Sequence, residues 1–404
     1  MPRLAPALAT AATLLAGAAC AQSPDAVDQP PPNVPGFHPA FPEQTRAPAI
    51  RSGFELAVAT VAQPFEHPWG VALLPDGGYL VTERPGRLRV VASDGTISPP
   101  VAGIPEVVAR GQGGLLDVAV SPTFAEDRTL YWSYAKPMGG GASATAAVRA
   151  RLAEDASSLT DVQDVFVQDP PSPTTNHYGS RVVPDGAGHL FVTTGEHFSL
   201  RERQLAQDLA TTYGKVVRVN LDGTPPADNP FAGDPAAIPA IWSYGHRNIQ
   251  AAALDAQGQL WTIEHGPKGG DELNRIEPGR NYGWPLISYG ENYDGSPVGE
   301  GITAREGLEQ PRYYWDPVIA PSGMAFYDGA MFPEWQGDIL VGSLRPGALV
   351  RLHLDGDKVT GEERLLTDAG RIRDVAVAPD GAVLVLTDAG DGALLRLTKG
   401  AVTD

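Results

Sequence analysis

Along most of the chain, short apolar runs of four to eight residues alternate with turn signals, and the 3.6-residue period of a helix is rare. One unit recurs: a short apolar strand, then Pro-Asp-Gly or a relative, then a second strand. It is clearest in Trp69-Gly-Val-Ala-Leu-Leu-Pro-Asp-Gly-Gly-Tyr-Leu-Val-Thr-Glu and in Val375-Ala-Val-Ala-Pro-Asp-Gly-Ala-Val-Leu-Val-Leu-Thr-Asp. Further copies run from Gly179 and Ala252, and looser ones begin at Gly114 and Ser322. Asp-Gly supplies the positive backbone dihedrals of a tight hairpin turn. Six copies at a spacing of roughly 45–75 residues predict an all-β, six-bladed β-propeller with four-stranded antiparallel blades. An irregular pair of β-sandwiches is the competing architecture. Phe54–Thr60 is the candidate strand to close the last blade, and Leu200–Tyr213 the best candidate for a short helix.

Both ends of this repeat region differ from it. Pro2-Arg3, the apolar stretch Leu4–Ala19 and the small residues around Cys20 read as an export signal over 1–21, cleaved before Gln22. Lipoprotein processing at Cys20 is the alternative. Residues 22–52 are Pro-rich without periodicity and are expected to form a disordered spacer. The catalytic propeller is then expected over 53–401, in a periplasmic protein. Cys20 is the only cysteine, so the processed chain needs no disulfide.

Charge narrows the partners. With 48 acidic against 30 basic residues, the net charge is -18. Such a surface repels phosphate backbones, and no basic cluster suits an anionic membrane. The arginines stand singly, which suits local anion binding inside a site.

In a propeller, loops entering the inner strands meet at one mouth of the channel. Gln112, His177, Arg247, Asn248, Ser322, Arg371 and Arg373 all precede or begin an inner strand. An imidazole at that mouth can take a proton from a hydroxyl, although His177 could equally be a hydrogen-bonded loop residue. Glu196, ending the paired strand, could orient it. Arg345 lies in the fifth copy, and several converging arginines would need a polyanion or neighbouring acids to balance them. Between Ile263 and Trp284, Gly266 and Pro267 can offer adjacent carbonyls, with Glu272 and Tyr282 completing an oxygen shell suited to calcium. Trp284 or Tyr314 could wall a planar ring. A Gly-rich phosphate loop between strand and helix is missing, which argues against nicotinamide cofactors.

Gly111-Gln-Gly-Gly-Leu-Leu, Asn176-His-Tyr-Gly-Ser-Arg, Tyr244-Gly-His-Arg-Asn, Glu264-His-Gly-Pro through Gly283-Trp-Pro, and Arg371-Ile-Arg-Asp-Val occur in this order in successive blades. Together they resemble the soluble periplasmic sugar dehydrogenases that use pyrroloquinoline quinone (PQQ) and calcium, in particular their aldose sugar dehydrogenase branch. The resemblance implies oxidation of aldoses, mono- and disaccharides among them, to aldonolactones, with electrons passed to an external acceptor. It makes His177 the base, with Glu196 where glucose-oxidising relatives carry Asp, and counts Arg247 in the catalytic set. It makes Gln112, Arg247, Asn248, Ser322, Arg371 and Arg373 cofactor contacts, with Arg345 in place of a Lys. Gly266 and Pro267 become calcium ligands, with Glu272 and Tyr282 beside them. A calcium-dependent lactonase and a non-catalytic binding propeller are the competing functions, and the rim loops Ala135–Ala147, Leu200–Tyr213 and Tyr289–Gln310 would set sugar specificity.

Overall fold

The computed structural model describes residues 27–402. The expected export signal and the lipidation residue Cys20 lie outside them. Six antiparallel sheets follow one another around a channel, so the propeller expectation holds. Their innermost strands are Pro68–Leu73, Leu115–Val120, Val182–Pro184, Ile249–Leu254, Pro321–Phe326 and Ile372–Val377. Five sheets have four strands. The first has three, extended only by a bridge between Val91 and Ile97. Phe54–Phe65 pairs with Gly392–Val402 and supplies the outer strand of the last blade. The two ends of the domain are thereby sewn together.

The Asp-Gly turns behave as their sterics require. Gly77, Gly186 and Gly381 all have φ between +71° and +86°, a region that side-chain-bearing residues avoid. The apolar faces of adjacent blades interdigitate in separate clusters. One joins the first and second blades through Leu80, Leu115, Leu130 and Trp132. Another joins the fourth and fifth through Trp261, Ile263, Val341 and Val350.

The spacer expectation needs correction from residue 27 onward. The Asn33 and Val34 amides donate to the Asp316 carboxylate at 2.8 and 3.0 Å. Gln44 is fully buried and donates to the Pro311 carbonyl at 2.9 Å, and the Ile50 amide donates to the Glu362 carbonyl. A Pro-rich segment has few donors of its own to satisfy, and the outer strands of the fourth and fifth blades meet those it has. The rim loop expected over Ala135–Ala147 is mostly paired strand, since Thr129–Gly139 ladders against Ala142–Leu152. Leu200–Tyr213 does carry a helical turn, the 3-10 segment Glu202–Gln207. No helix among the described residues is long and apolar enough to cross a membrane.

Candidate active site

At the end where the inner strands begin, His177 is buried in a left-handed backbone conformation (φ +50°). Its amide donates to Gln112 Oε1 at 2.8 Å, so the neighbouring blade fixes the turn. Asn248 Oδ1 accepts the Gly179 amide from the other side. Gly195 is required by close approach: a Cβ there would sit 2.0 Å from the His177 carbonyl oxygen.

Nδ1 of His177 lies 3.1 Å from Glu196 Oε1, and Glu196 Oε2 accepts the Phe198 amide at 2.6 Å. Burial, then the charges of Arg247 and Arg203, hold the imidazole well below its ordinary pKa. Burial raises the Glu196 carboxyl to about 6, against the lowering pull of Arg247. Near neutrality the pair is therefore a neutral ring and a carboxylate. A carboxylate only accepts, so the ring proton resides on Nδ1 and the Nε2 lone pair is free to take a proton.

Beside this pair is a cavity of about 130 Å³ lined by Trp69, Arg84, Gln112, Gln250, His265, Leu344, Arg371 and Arg373. Three guanidiniums meet there. Asp388 is their neighbouring carboxylate, 2.6 Å from Arg373 and 3.0 Å from Arg371. Burial works against its charge, but Arg373 and the other donors hold its carboxyl far below the ordinary range. Arg373 is buried, and its Nε–H finds no acceptor among the described residues.

A second, much smaller cavity of about 10 Å³ adjoins Arg247, with Glu264, Gly266, Pro267, Glu272 and the Tyr282 ring in its lining. Glu272 is raised well above the carboxylate range by burial and by the charge of Glu264. Arg247 Nη1 donates to the carbonyls of His265 and Gly266 at 3.0 and 2.7 Å.

Several expected roles change. Tyr282 gives its hydroxyl to the Arg275 carbonyl at 2.6 Å and accepts the Glu277 amide, so only its ring reaches the cavity. The Ser322 hydroxyl donates to the Ile372 carbonyl at 2.7 Å and serves as an inter-blade tie. Asn248 spends its side-chain oxygen on the His177 turn. Arg345 is exposed and absent from the arginine cavity. Tyr314 stacks on Tyr289 at 3.9 Å and lines neither cavity.

Arg84, His265 and Asp388 enter the site without having been singled out. A signal for them existed. Each follows or ends the second strand of its blade, just as Glu196 does, and antiparallel pairing returns that end to the mouth where the inner strand begins.

Residues 65–396 match the family model described as Glucose / Sorbosone dehydrogenase. The aldose sugar dehydrogenase YliI of Escherichia coli (strain K12) is 45% identical over 347 residues, covering 84% of this chain and 92% of that one. The crystal structure of the soluble aldose sugar dehydrogenase from Escherichia coli, in the apo-form, is 43% identical with a TM-score of 0.82, over 85% of this chain and 99% of that one. The PQQ-bound aldose sugar dehydrogenase from Streptomyces coelicolor is 30% identical with a TM-score of 0.70, over 87% and 99%. The chain belongs to the glucose/sorbosone dehydrogenase family.

Proposed function

We propose that this protein is a periplasmic quinoprotein that oxidises aldoses at the anomeric carbon and passes the electrons to an external acceptor. The observation that carries the reading is the buried His177, held by Glu196 at 3.1 Å, beside a cavity walled by three arginines. The residues fit the cofactor. Arg371 and Arg373 share one carboxylate counter-ion, Arg84 beside them donates only to backbone carbonyls, and the orphaned Arg373 Nε–H asks for an acceptor. A tricarboxylate such as PQQ would answer both. A hard cation also fits the smaller cavity, because Glu272 and Glu264 repel each other there and Gly266 and Pro267 line it, the Gly266 carbonyl accepting from Arg247 in this structure. Calcium is the proposed ion, held by Gly266, Pro267 and Glu272.

PQQ, when bound, supplies the hydride acceptor, and calcium supplies Lewis-acid polarisation. The chain's own task is proton transfer and orientation. His177 Nε2 takes the proton of the anomeric hydroxyl as the C1–H bond breaks. Glu196 keeps the proton on Nδ1 and stabilises the imidazolium that forms. Arg247 lines the smaller cavity and holds the carbonyls of Gly266 and His265, and His265 lines both cavities.

Dye-linked oxidation of an aldose panel, with and without added PQQ and calcium, tests the reading. Activity requiring PQQ is the expected result. Metal-dependent lactone hydrolysis without quinone would replace it with the lactonase reading. Two narrower outcomes are expected. Arg373→Gln weakens PQQ binding about 10- to 100-fold, read by titration of protein fluorescence, because a charged donor to a carboxylate is lost from a buried site. Chelation followed by gel filtration removes the calcium-dependent activity, readdition restores it, and Glu272→Gln raises the calcium concentration needed.

A further inference from the structure

We infer that Arg203 is a further active-site residue, which donates its Nε–H to a hydroxyl oxygen of the aldose. The inference rests on the sugar-oxidation reading and assigns a residue to the sugar side of that site.

Arg203 stands on the helical turn Glu202–Gln207 and leaves it toward the fourth blade. Its guanidinium carbon lies 5.3 Å from the centre of the Trp284 ring, and that of Arg247 lies 5.2 Å from the same ring. Nη1 of Arg203 donates to Asn292 Oδ1 at 2.9 Å, which ties the helical turn to the loop after Tyr289. That hydrogen bond holds one end of the guanidinium in place.

Three buried N–H groups in this one cluster lack an acceptor among the described residues: Arg203 Nε, Arg247 Nε and Trp284 Nε1. Unpaired buried donors are rare and costly, and a cluster made only of donors calls for an oxygen-rich ligand. A pyranose offers ring and hydroxyl oxygens. Phe198 offers the matching apolar surface, with its ring 5.0 Å from the His177 ring and more than a third of the residue exposed. Sugar C–H faces pack on such rings while their oxygens reach the surrounding donors.

Charge supplies the second part of the role. The groups around His177 are Glu196, Arg247, Arg203, His197 and His265, and both arginines favour the uncharged imidazole. Removing Arg203 takes away one of these opposing charges. The His177 pKa then rises, and the acid limb of kcat/KM moves to higher pH.

The test compares the wild-type chain with Arg203→Gln, Arg203→Lys and Asn292→Ala, all loaded with PQQ and calcium. For Arg203→Gln the aldose KM is expected to rise about 10- to 100-fold, as for loss of one charged hydrogen bond. Its acid limb moves up, and PQQ affinity, read by fluorescence without sugar, stays at the wild-type value. Arg203→Lys keeps the acid limb and still raises KM. Should Arg203→Gln fail to fold, Asn292→Ala releases the guanidinium without removing its charge, and is expected to raise KM at an unmoved acid limb. Unchanged KM and acid limb in Arg203→Gln would overturn the inference, as would a loss of PQQ affinity parallel to the rise in KM. A wild-type chain that oxidises no aldose with PQQ would instead overturn the reading beneath it.

Discussion

Replacing His177 by Ala is expected to lower kcat for aldose oxidation by about 10²- to 10⁴-fold, the usual yield of a positioned general base. Cofactor binding should survive, because the arginine cavity lies beside the imidazole and His177 is not part of its lining. The pH profile carries more information than the size of the loss. Activity of the intact enzyme requires the neutral ring and the Glu196 carboxylate, so kcat/KM rises with pH as the His177–Glu196 pair gives up its proton. Burial and the two arginines place that limb below the ordinary imidazole value of about 6.5. The limb should disappear in His177→Ala. In Glu196→Gln the side chain no longer obliges the proton to stay on Nδ1, and activity falls although the ring remains. Wild-type kcat in His177→Ala would remove the histidine from the mechanism.

How much of this was legible in the chain differs by residue. The blades were, because an Asp-Gly turn between two apolar runs depends on local sterics alone, and Gly77 and Gly381 adopt the dihedrals the pattern demands. His177 and Arg373 were legible from their phase, since position before an inner strand decides which end of the channel a side chain occupies. Ser322 shares that phase, yet its hydroxyl is spent on the Ile372 carbonyl of the next blade. Phase says where a group is and nothing about which partner claims it. Tyr282 failed for the same reason, through a carbonyl seven residues away. Asp388 was missed because its meaning lies in two arginines that fold against it. The segment from residue 27 to 52 looked disordered because its order comes from backbone groups and the Asp316 carboxylate, which hydrophobic periodicity does not report.

The channel beneath the site is closed by charge, and the second large effect is expected there. Arg181 reaches across the axis to Asp117 at 2.7 Å and Asp374 at 3.0 Å, with all three side chains buried. It also lies 4.5 Å from the Trp69 ring and donates through Nε to the Gln250 carbonyl at 2.8 Å. Gly323 makes room for the cluster: a Cβ there would fall 1.9 Å from Asp374 Oδ1. Arg181→Met keeps much of the length and removes the charge, leaving two buried carboxylates facing each other. A loss of about 3–5 kcal/mol of stability is expected, as for other buried pairs stripped of one partner. The sign of its pH dependence is fixed. Burial already raises Asp117 to about 6 against the lowering pull of Arg181, and Asp374 moves in the same direction. Without the arginine both rise further above their unfolded values, so the folded variant takes up protons that the unfolded chain does not hold. Its stability deficit relative to wild type should then grow from about pH 5 to about pH 8, since stability falls with pH where the native state binds more protons. Denaturant unfolding at the two pH values measures this, and adding Asp117→Asn should restore part of the loss at the higher one. An equal deficit at both would mean that Arg181 matters for its packing on Trp69 and not for the charge it sets between the two acids.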